Sequence, residues 1–214
     1  MNKKSLIISS LLGDGYITHD KDNKRYFAIQ HGDKQKDYLL YKKKLFEDNG
    51  FKVKYNKINK SNARNFIGHR ITIYADEFQY WEHLFYPNKN RTVTRHSLNM
   101  LDEQGLAIWW QDDGSLTIYT NPKDKRTHRS GKLCTHAYTY EENKIIEQYL
   151  NVIWKLDVRV KIEKKKYYYI YFNTNSLIRL FKIINPYVVE SMKYKIDMQY
   201  AKPQLSPILQ GELI

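Results

Sequence analysis

The sequence predicts an α+β chain built from two similar halves, 1–100 and 101–214, each running helix, hairpin, helix, hairpin, helix. Three observations predict it. An apolar stretch ending in Asp-Gly stands in each half, with Asp14 as the acid of the first and Asp113 of the second. An amphipathic helical pattern recurs at 34–49 and 140–154, each copy followed by alternating apolar and basic residues. Stop signals recur as well, Pro87 after the last helix of one half and Pro186 after that of the other.

In chain order, Asn2 is placed to cap an apolar helix over 3–13, and strand-like stretches at 16–19 and 25–31 follow. The helix at 34–49 carries Tyr38, Leu39, Leu45 and Phe46 on its apolar side, and Gly50 ends it. Stretches 51–58 and 65–75 read as a second hairpin and 76–86 as a short helix. In the second half Asp102 caps a helix over 103–112, strands at 115–119 and 132–136 flank a basic loop, and a helix spans 140–154. A hairpin at 156–163 and 167–173 and a helix at 176–184 complete it. Two local echoes align the halves. Ile29-Gln30-His31 matches Cys134-Thr135-His136, and Phe51-Lys52-Val53-Lys54-Tyr55 matches Val158-Arg159-Val160-Lys161-Ile162.

The net charge is +13, with 19 basic against 10 acidic residues in 1–100 and 17 against 13 in 101–214. A basic excess spread through both halves favours polyanions by counterion release. Alternation along a strand sends Lys52 and Lys54 to the face opposite Phe51, Val53 and Tyr55, and Arg159 and Lys161 to the face opposite Val158, Val160 and Ile162. Two sheets with basic faces could line a groove for a duplex. The segment 121–132, with Arg126 and Arg129, reads as a mobile connection able to follow a phosphate backbone, or equally as a solvated loop. No apolar run approaches the roughly 20 residues that span a bilayer, and neither a signal peptide nor a targeting signal is evident. The expectation is a monomer with no membrane association, working in a bacterial or phage-infected cytoplasm or nucleoid, or in an organelle if encoded there. The single Cys134 excludes an intramolecular disulfide and a cysteine-based zinc cage, and no phosphate-binding glycine loop is present.

The chemistry concentrates in the two motif segments, Ile7-Ile8-Ser9-Ser10-Leu11-Leu12-Gly13-Asp14-Gly15 and Leu106-Ala107-Ile108-Trp109-Trp110-Gln111-Asp112-Asp113-Gly114. Each places an acid at a helix C-terminus, where the helix dipole disfavours negative charge. If the helices pack side by side, with Ser9, Gly13 and Ala107 as the small residues at the contact, two carboxylates and two negative helix ends converge. Divalent cations would relieve that repulsion, and Mg²⁺ commonly uses one or two carboxylates plus water and phosphate oxygens.

These segments resemble the LAGLIDADG motifs of homing endonucleases, in the single-chain branch with two motif copies. The resemblance implies pseudo-symmetric αββαββα halves packed through the motif helices, with saddle-shaped antiparallel sheets over the DNA major groove. It implies metal binding and catalysis at Asp14 and Asp113, with the carbonyls of Gly13 and Asp112 as further ligands and Mg²⁺ or Mn²⁺ as cofactor. Pro186-Tyr187-Val188-Val189-Glu190-Ser191-Met192-Lys193-Tyr194-Lys195 is similar to the family's C-terminal Met-x-Tyr-Lys segment, whose lysine approaches the active site, so the resemblance implies a catalytic role for Lys195. Where the family has Lys-x-Ile-Pro ahead of the second motif, this chain has Asn90-Arg91-Thr92-Val93-Thr94, so Arg91, or else Lys89, takes that role. His31 and His136 stand at matching strand ends, either positioning water and DNA or serving as ordinary hydrogen-bonded histidines. The implied function is a staggered double-strand break in a long specific DNA target. Two rivals use the same scaffold, a maturase that binds intron RNA and a DNA-binding regulator with a dead site. Whether the host element is an intron, an intein or a free-standing gene is left open by the sequence.

Overall fold

The computed structural model describes residues 2–60 and 66–199. Helix α1 (Lys3–Leu12) leads through β1 (Gly15–His19) and β2 (Arg25–Gly32) to α2 (Lys36–Asp48), then β3 (Val53–Lys60), β4 (Phe66–Ile73) and α3 (Phe78–Phe85). A short α4 (Arg95–Leu98) precedes α5 (Glu103–Asp113). The first order then repeats as β5 (Gly114–Thr120), β6 (Thr127–Leu133), α6 (Tyr140–Ile153), β7 (Val158–Glu163), β8 (Tyr167–Phe172) and α7 (Thr174–Ile184). Two 3-10 segments, Asn185–Tyr187 and Glu190–Lys195, follow. The strands form two antiparallel four-stranded sheets, ordered β1-β2-β4-β3 and β5-β6-β8-β7. Among the described residues no helix is long and apolar enough to cross a membrane.

Helix boundaries follow local chemistry. Asn2 accepts from the Lys4 amide at 2.9 Å, and Asp102 caps α5 by accepting from Gly105 at 2.8 Å. Gly50, at φ +86°, lets the chain leave α2 in the left-handed region, with Phe51 N–H returning to the Phe46 carbonyl. The four-residue α4 was not anticipated. It rests on a Thr94–Ser97 capping box rather than on any periodicity long enough to read.

Helices α1 and α5 are buried along almost their whole length and pack in parallel. At their start, Ser5 Oγ donates to Asp102 Oδ1 at 2.7 Å and accepts from the Asp102 amide at 3.0 Å. At their end, Gly13 lies against Asp112. A Cβ on Gly105 would overlap Ser5 Oγ, and one on Gly13 would overlap the Asp112 carboxylate. Gly13 is thus a contact residue, as expected, and Ser9 and Ala107 are buried. Gly105, overlooked in the sequence, is the second point of closest approach.

Strand pairing corrects both sequence echoes. Gly15 pairs with Ile29 and Gly114 with Leu133, which makes Thr135 the counterpart of His31. His136 is one position off, and a one-residue slip puts a side chain on the other face. In the same way Val53 pairs with Ile73, which pairs with Phe27, while Val158 pairs with Phe172, which pairs with Gly131. Val158 is therefore the counterpart of Val53, not of Phe51. That two-residue slip preserves the faces, but it aligns Ile162 with Lys57, and Ile162 is 50% exposed rather than packed on the helices.

The strand expected at 132–136 also lies elsewhere. β6 is Thr127–Leu133, and only the turn between Asn121 and Arg126 is left of the expected loop. Residues 127–132 carry little apolar alternation, so pairing with β5 and β8 decides their conformation. For β4, Asn65, where the sequence reading began it, lies outside the described residues.

Replacing Gly105 with valine forces two extra methyls and a branch point against Ser5. The expected loss is about 1–3 kcal/mol, as for other overpacked contacts. It would be read as a lower urea midpoint with an unchanged slope.

Candidate active site

The parallel crossing of α1 and α5 brings Asp14 and Asp113 to one place, at the two helix ends and directly before the first strand of each sheet. Burial raises both carboxyl pKa values, and the Asp112 carboxylate raises them further. Asp113, which also feels Asp14, is pushed up to about 8. Asp14 is the more open of the two, its side chain 40% exposed.

Two cations face these acids and hold the helix ends. Arg91 donates to the carbonyls of Gly13 at 3.1 Å and Gly15 at 2.7 Å. Lys195 Nζ donates to the carbonyls of Gln111 at 2.5 Å and Asp112 at 2.9 Å. Each thereby satisfies C-terminal carbonyls and offsets the negative helix end of one motif helix. Of the two candidates for the first-half basic position, Arg91 lies at the helix ends, while Lys89 is exposed and sits at φ +62°. The arrangement also shows that Lys195 is no stray surface charge. Burial lowers its pKa, against the pull of Asp112, Asp113 and Asp14. Gln111 fixes the segment that carries it, accepting from the Val189 amide at 3.0 Å, while Trp110 Nε1 donates to the Lys195 carbonyl at 3.1 Å.

The Asp112 side chain goes inward, although its backbone stays partly exposed. Its Oδ1 accepts from Lys42 at 2.5 Å and from the Tyr38 hydroxyl at 2.7 Å, and its Oδ2 accepts from Lys42 at 2.7 Å and the Asp14 amide at 3.2 Å. Both side chains of this ion pair are 0% exposed. The pair joins α2 to α5 and ties the Asp14 backbone to α5. Sequence reading missed Lys42 and the role of Tyr38. The signal was present: Lys42 stands three residues after Leu39 and four before Phe46, on the apolar stripe of α2, where a lysine needs a partner. Counting equally from Ile29 and from Leu133, the corresponding residue of α6 is Ile146, which is buried.

His31 lies beside Asp14, its Nδ1 3.7 Å from Oδ2. Burial first, and then the Lys42 charge, push its pKa down to about 4, so the ring is neutral at pH 7. Asp14, His31 and Asp112 offer ligand atoms within 4.8 Å of one another. His136 does not belong to this group. It reaches Glu163 at 2.9 Å, half-exposed.

The donor set suits a hard divalent cation. It offers carboxylate and carbonyl oxygens, and burial together with the neighbouring Asp112 carboxylate disfavours the charge on both main acids, which a cation would relieve. The carbonyls of Gly13 and Asp112 already accept from Arg91 and Lys195, and each keeps a second lone pair.

Of the basic residues expected on the sheet faces, Lys52, Lys54, Arg159 and Lys161 are exposed. Lys54 and Lys161 lie over the rings of Tyr74 and Tyr171. Arg126 projects from the β5–β6 turn beside Asp124. Arg129 is elsewhere. Its register against Ile118, in line with Gly131 and Leu133, puts it on the sheet face turned to the helices, where it donates to the Met198 carbonyl at 2.9 Å.

A sequence profile of the LAGLIDADG DNA endonuclease family matches residues 4–180. The chain belongs to this family. It is 28% identical over 201 residues to "Probable intron-encoded endonuclease 1" of Wickerhamomyces canadensis, covering 91% of this chain and 83% of that protein. It is also 28% identical over 202 residues to RecA of Mycobacterium leprae, covering 91% of this chain but 28% of RecA, so that protein's name says nothing of this chain's activity. Among solved structures, the homing endonuclease I-WcaI bound to its DNA recognition sequence superposes with a TM-score of 0.75 at 24% identity, over 90% of this chain and 84% of that one. The homing endonuclease I-GzeII in complex with its DNA target gives 0.54 at 12%, over 91% and 87%. These likenesses show the fold.

Removing one partner of the buried pair should be severe. Lys42→Met strands the Asp112 charge and is expected to cost about 3–5 kcal/mol, whereas Lys42→Met with Asp112→Asn should recover most of it. Equilibrium denaturation of the two chains checks this. A second outcome follows from Asp113, whose pKa is raised from an ordinary 3.8 to about 8. A raised acid favours the folded state while protonated, and that contribution is lost as pH rises through the folded value. In metal-free buffer Asp113→Asn should therefore be more stable than the parent above pH 8, with the gap closing toward pH 4. Thermal melts across that range test it, and a gap independent of pH would refute the assignment.

Proposed function

We propose that this chain is a site-specific homing endonuclease that hydrolyses both strands of a long DNA target and leaves staggered ends. The observation that carries this reading is the meeting of Asp14 and Asp113 at two parallel helix ends, each end braced by a cation, Arg91 or Lys195. Asp14 and Asp113 would hold Mg²⁺ or Mn²⁺, with the Gly13 and Asp112 carbonyls beside them. Bound there, such a cation supplies a low-pKa water and a positive charge for the phosphate.

The chain's own residues do the rest. Arg91 and Lys195 keep the acids' backbone in place and present positive charge to the oxyanion that develops on phosphorus. Lys52, Lys54, Arg159, Lys161 and Arg126 fix register on phosphates. Polar side chains on the same sheet faces, such as Gln30 and Arg70, which hydrogen-bond at 2.9 Å, read base edges in the major groove. Arg129, turned to the helices, braces the sheet instead. Both acids are present, which favours a nuclease over a regulator with a dead site.

The test is cleavage of a duplex carrying the uninterrupted insertion site. The parent should cut both strands with Mg²⁺ and be silent in EDTA. Asp14→Asn and Asp113→Asn should each reduce double-strand cutting by a factor on the order of 10³ or more, comparable to losing a transition-state stabilising group, without loss of DNA binding. Tight binding with no cutting by the parent would favour the regulator. Binding of intron RNA in preference to the duplex would favour the maturase.

A further inference from the structure

The two acids have unlike surroundings. On the Asp14 side, His31 Nδ1 is 3.7 Å from Asp14 Oδ2 and 3.1 Å from Gln35 Oε1, while Nε2 is buried with no hydrogen-bond partner among the described residues. The ring is 4% exposed and lies 5.4 Å from the Tyr38 ring. On the Asp113 side the matching residue is Thr135, whose hydroxyl is hydrogen-bonded to Asn143 Oδ1 at 2.5 Å, and His136 turns away to Glu163. One acid therefore has an imidazole beside it and the other has not.

Asp112 is near enough to join a ligand set with Asp14 and His31. Both its oxygens already receive Lys42, however, and one receives Tyr38. Asp14 and His31 remain. Their 3.7 Å separation can be spanned by two metal–ligand bonds of about 2.1 Å, and the Asp14 side is open to water and phosphate.

We propose that His31 is a nitrogen ligand to the cation held by Asp14, so that this position prefers Co²⁺ or Zn²⁺, while the Asp113 position offers oxygen alone and takes Mg²⁺. Imidazole suits the later transition metals and carboxylate with water suits Mg²⁺. Gln35 Oε1 pairs with Nδ1, the nitrogen that faces Asp14, so a cation bound there takes the place of that hydrogen bond and leaves the ring proton on Nε2. The inference rests on the reading of Asp14 and Asp113 as cation-holding acids.

The test separates the two ideas. The full chain, stripped of metal, is titrated with CoCl₂ and with MgCl₂ by calorimetry, with the visible absorption of Co²⁺ as a readout of nitrogen ligation. Asp113→Asn isolates the Asp14 position and Asp14→Asn isolates the other. With Asp113→Asn as background, adding His31→Thr should weaken Co²⁺ binding about tenfold or more and change its spectrum, with little effect on Mg²⁺. With Asp14→Asn as background, His31→Thr should change neither ion. His31→Gln, which retains a polar side chain for Gln35, should lose the Co²⁺ preference as well and serves if threonine unfolds the chain. Co²⁺ binding that is indifferent to His31 while Mg²⁺ still binds would overturn the nitrogen ligand and leave the acids' role intact. Absence of binding by either ion to every chain would overturn both.

Discussion

The parallel contact between α1 and α5 sets the terms for everything around it. Two helices running the same way place their negative ends together, and this chain adds an acid to each end. Apolar packing along the two helices brings those like charges together but does not neutralise them. The arrangement is made tolerable by Arg91 and Lys195, which arrive from segments remote in sequence and bind the terminal carbonyls. The segments that carry these two cations are therefore as much a part of the site as the helices. Trp110 and Gln111 anchor the second segment through its backbone groups, so part of the motif helix is devoted to holding the group that balances it.

Around that shared crossing the halves have diverged. The first puts a buried lysine on α2, a histidine at the end of β2 and a glycine before its acid. The second puts isoleucine, threonine and aspartate at the matching places. The backbone order is retained while the charge distribution is not. The sheets remain alike in register, since each residue pairing of β1 with β2 is echoed by one of β5 with β6.

The α+β repeat and the two acids were legible because both depend on local signals, namely caps, stop residues and an acid placed against a helix dipole. Arg91 and Lys195 were legible through family resemblance, not through physics available in one dimension. The failures share a cause. β6 lacks apolar alternation and takes its conformation from its neighbours, so its position in the sequence was misjudged and His136 was matched with His31 in place of Thr135. For the same reason Arg129 reads from the sequence as part of a loop, whereas it lies in β6. Lys42 was visible as a charge on an apolar stripe, but its partner lies 70 residues away, and only tertiary structure pairs them.

That pairing makes the two halves non-interchangeable. Two copies of the first half, joined through the same helices, would set each buried ammonium opposite a glycine. Two copies of the second would set each inward carboxylate opposite an isoleucine. Either self-association strands like charges in a dry interior, where an ion without its counterpart is heavily penalised. Only the mixed assembly neutralises both, so the contact acts as a key that admits the unlike partner and refuses the twin.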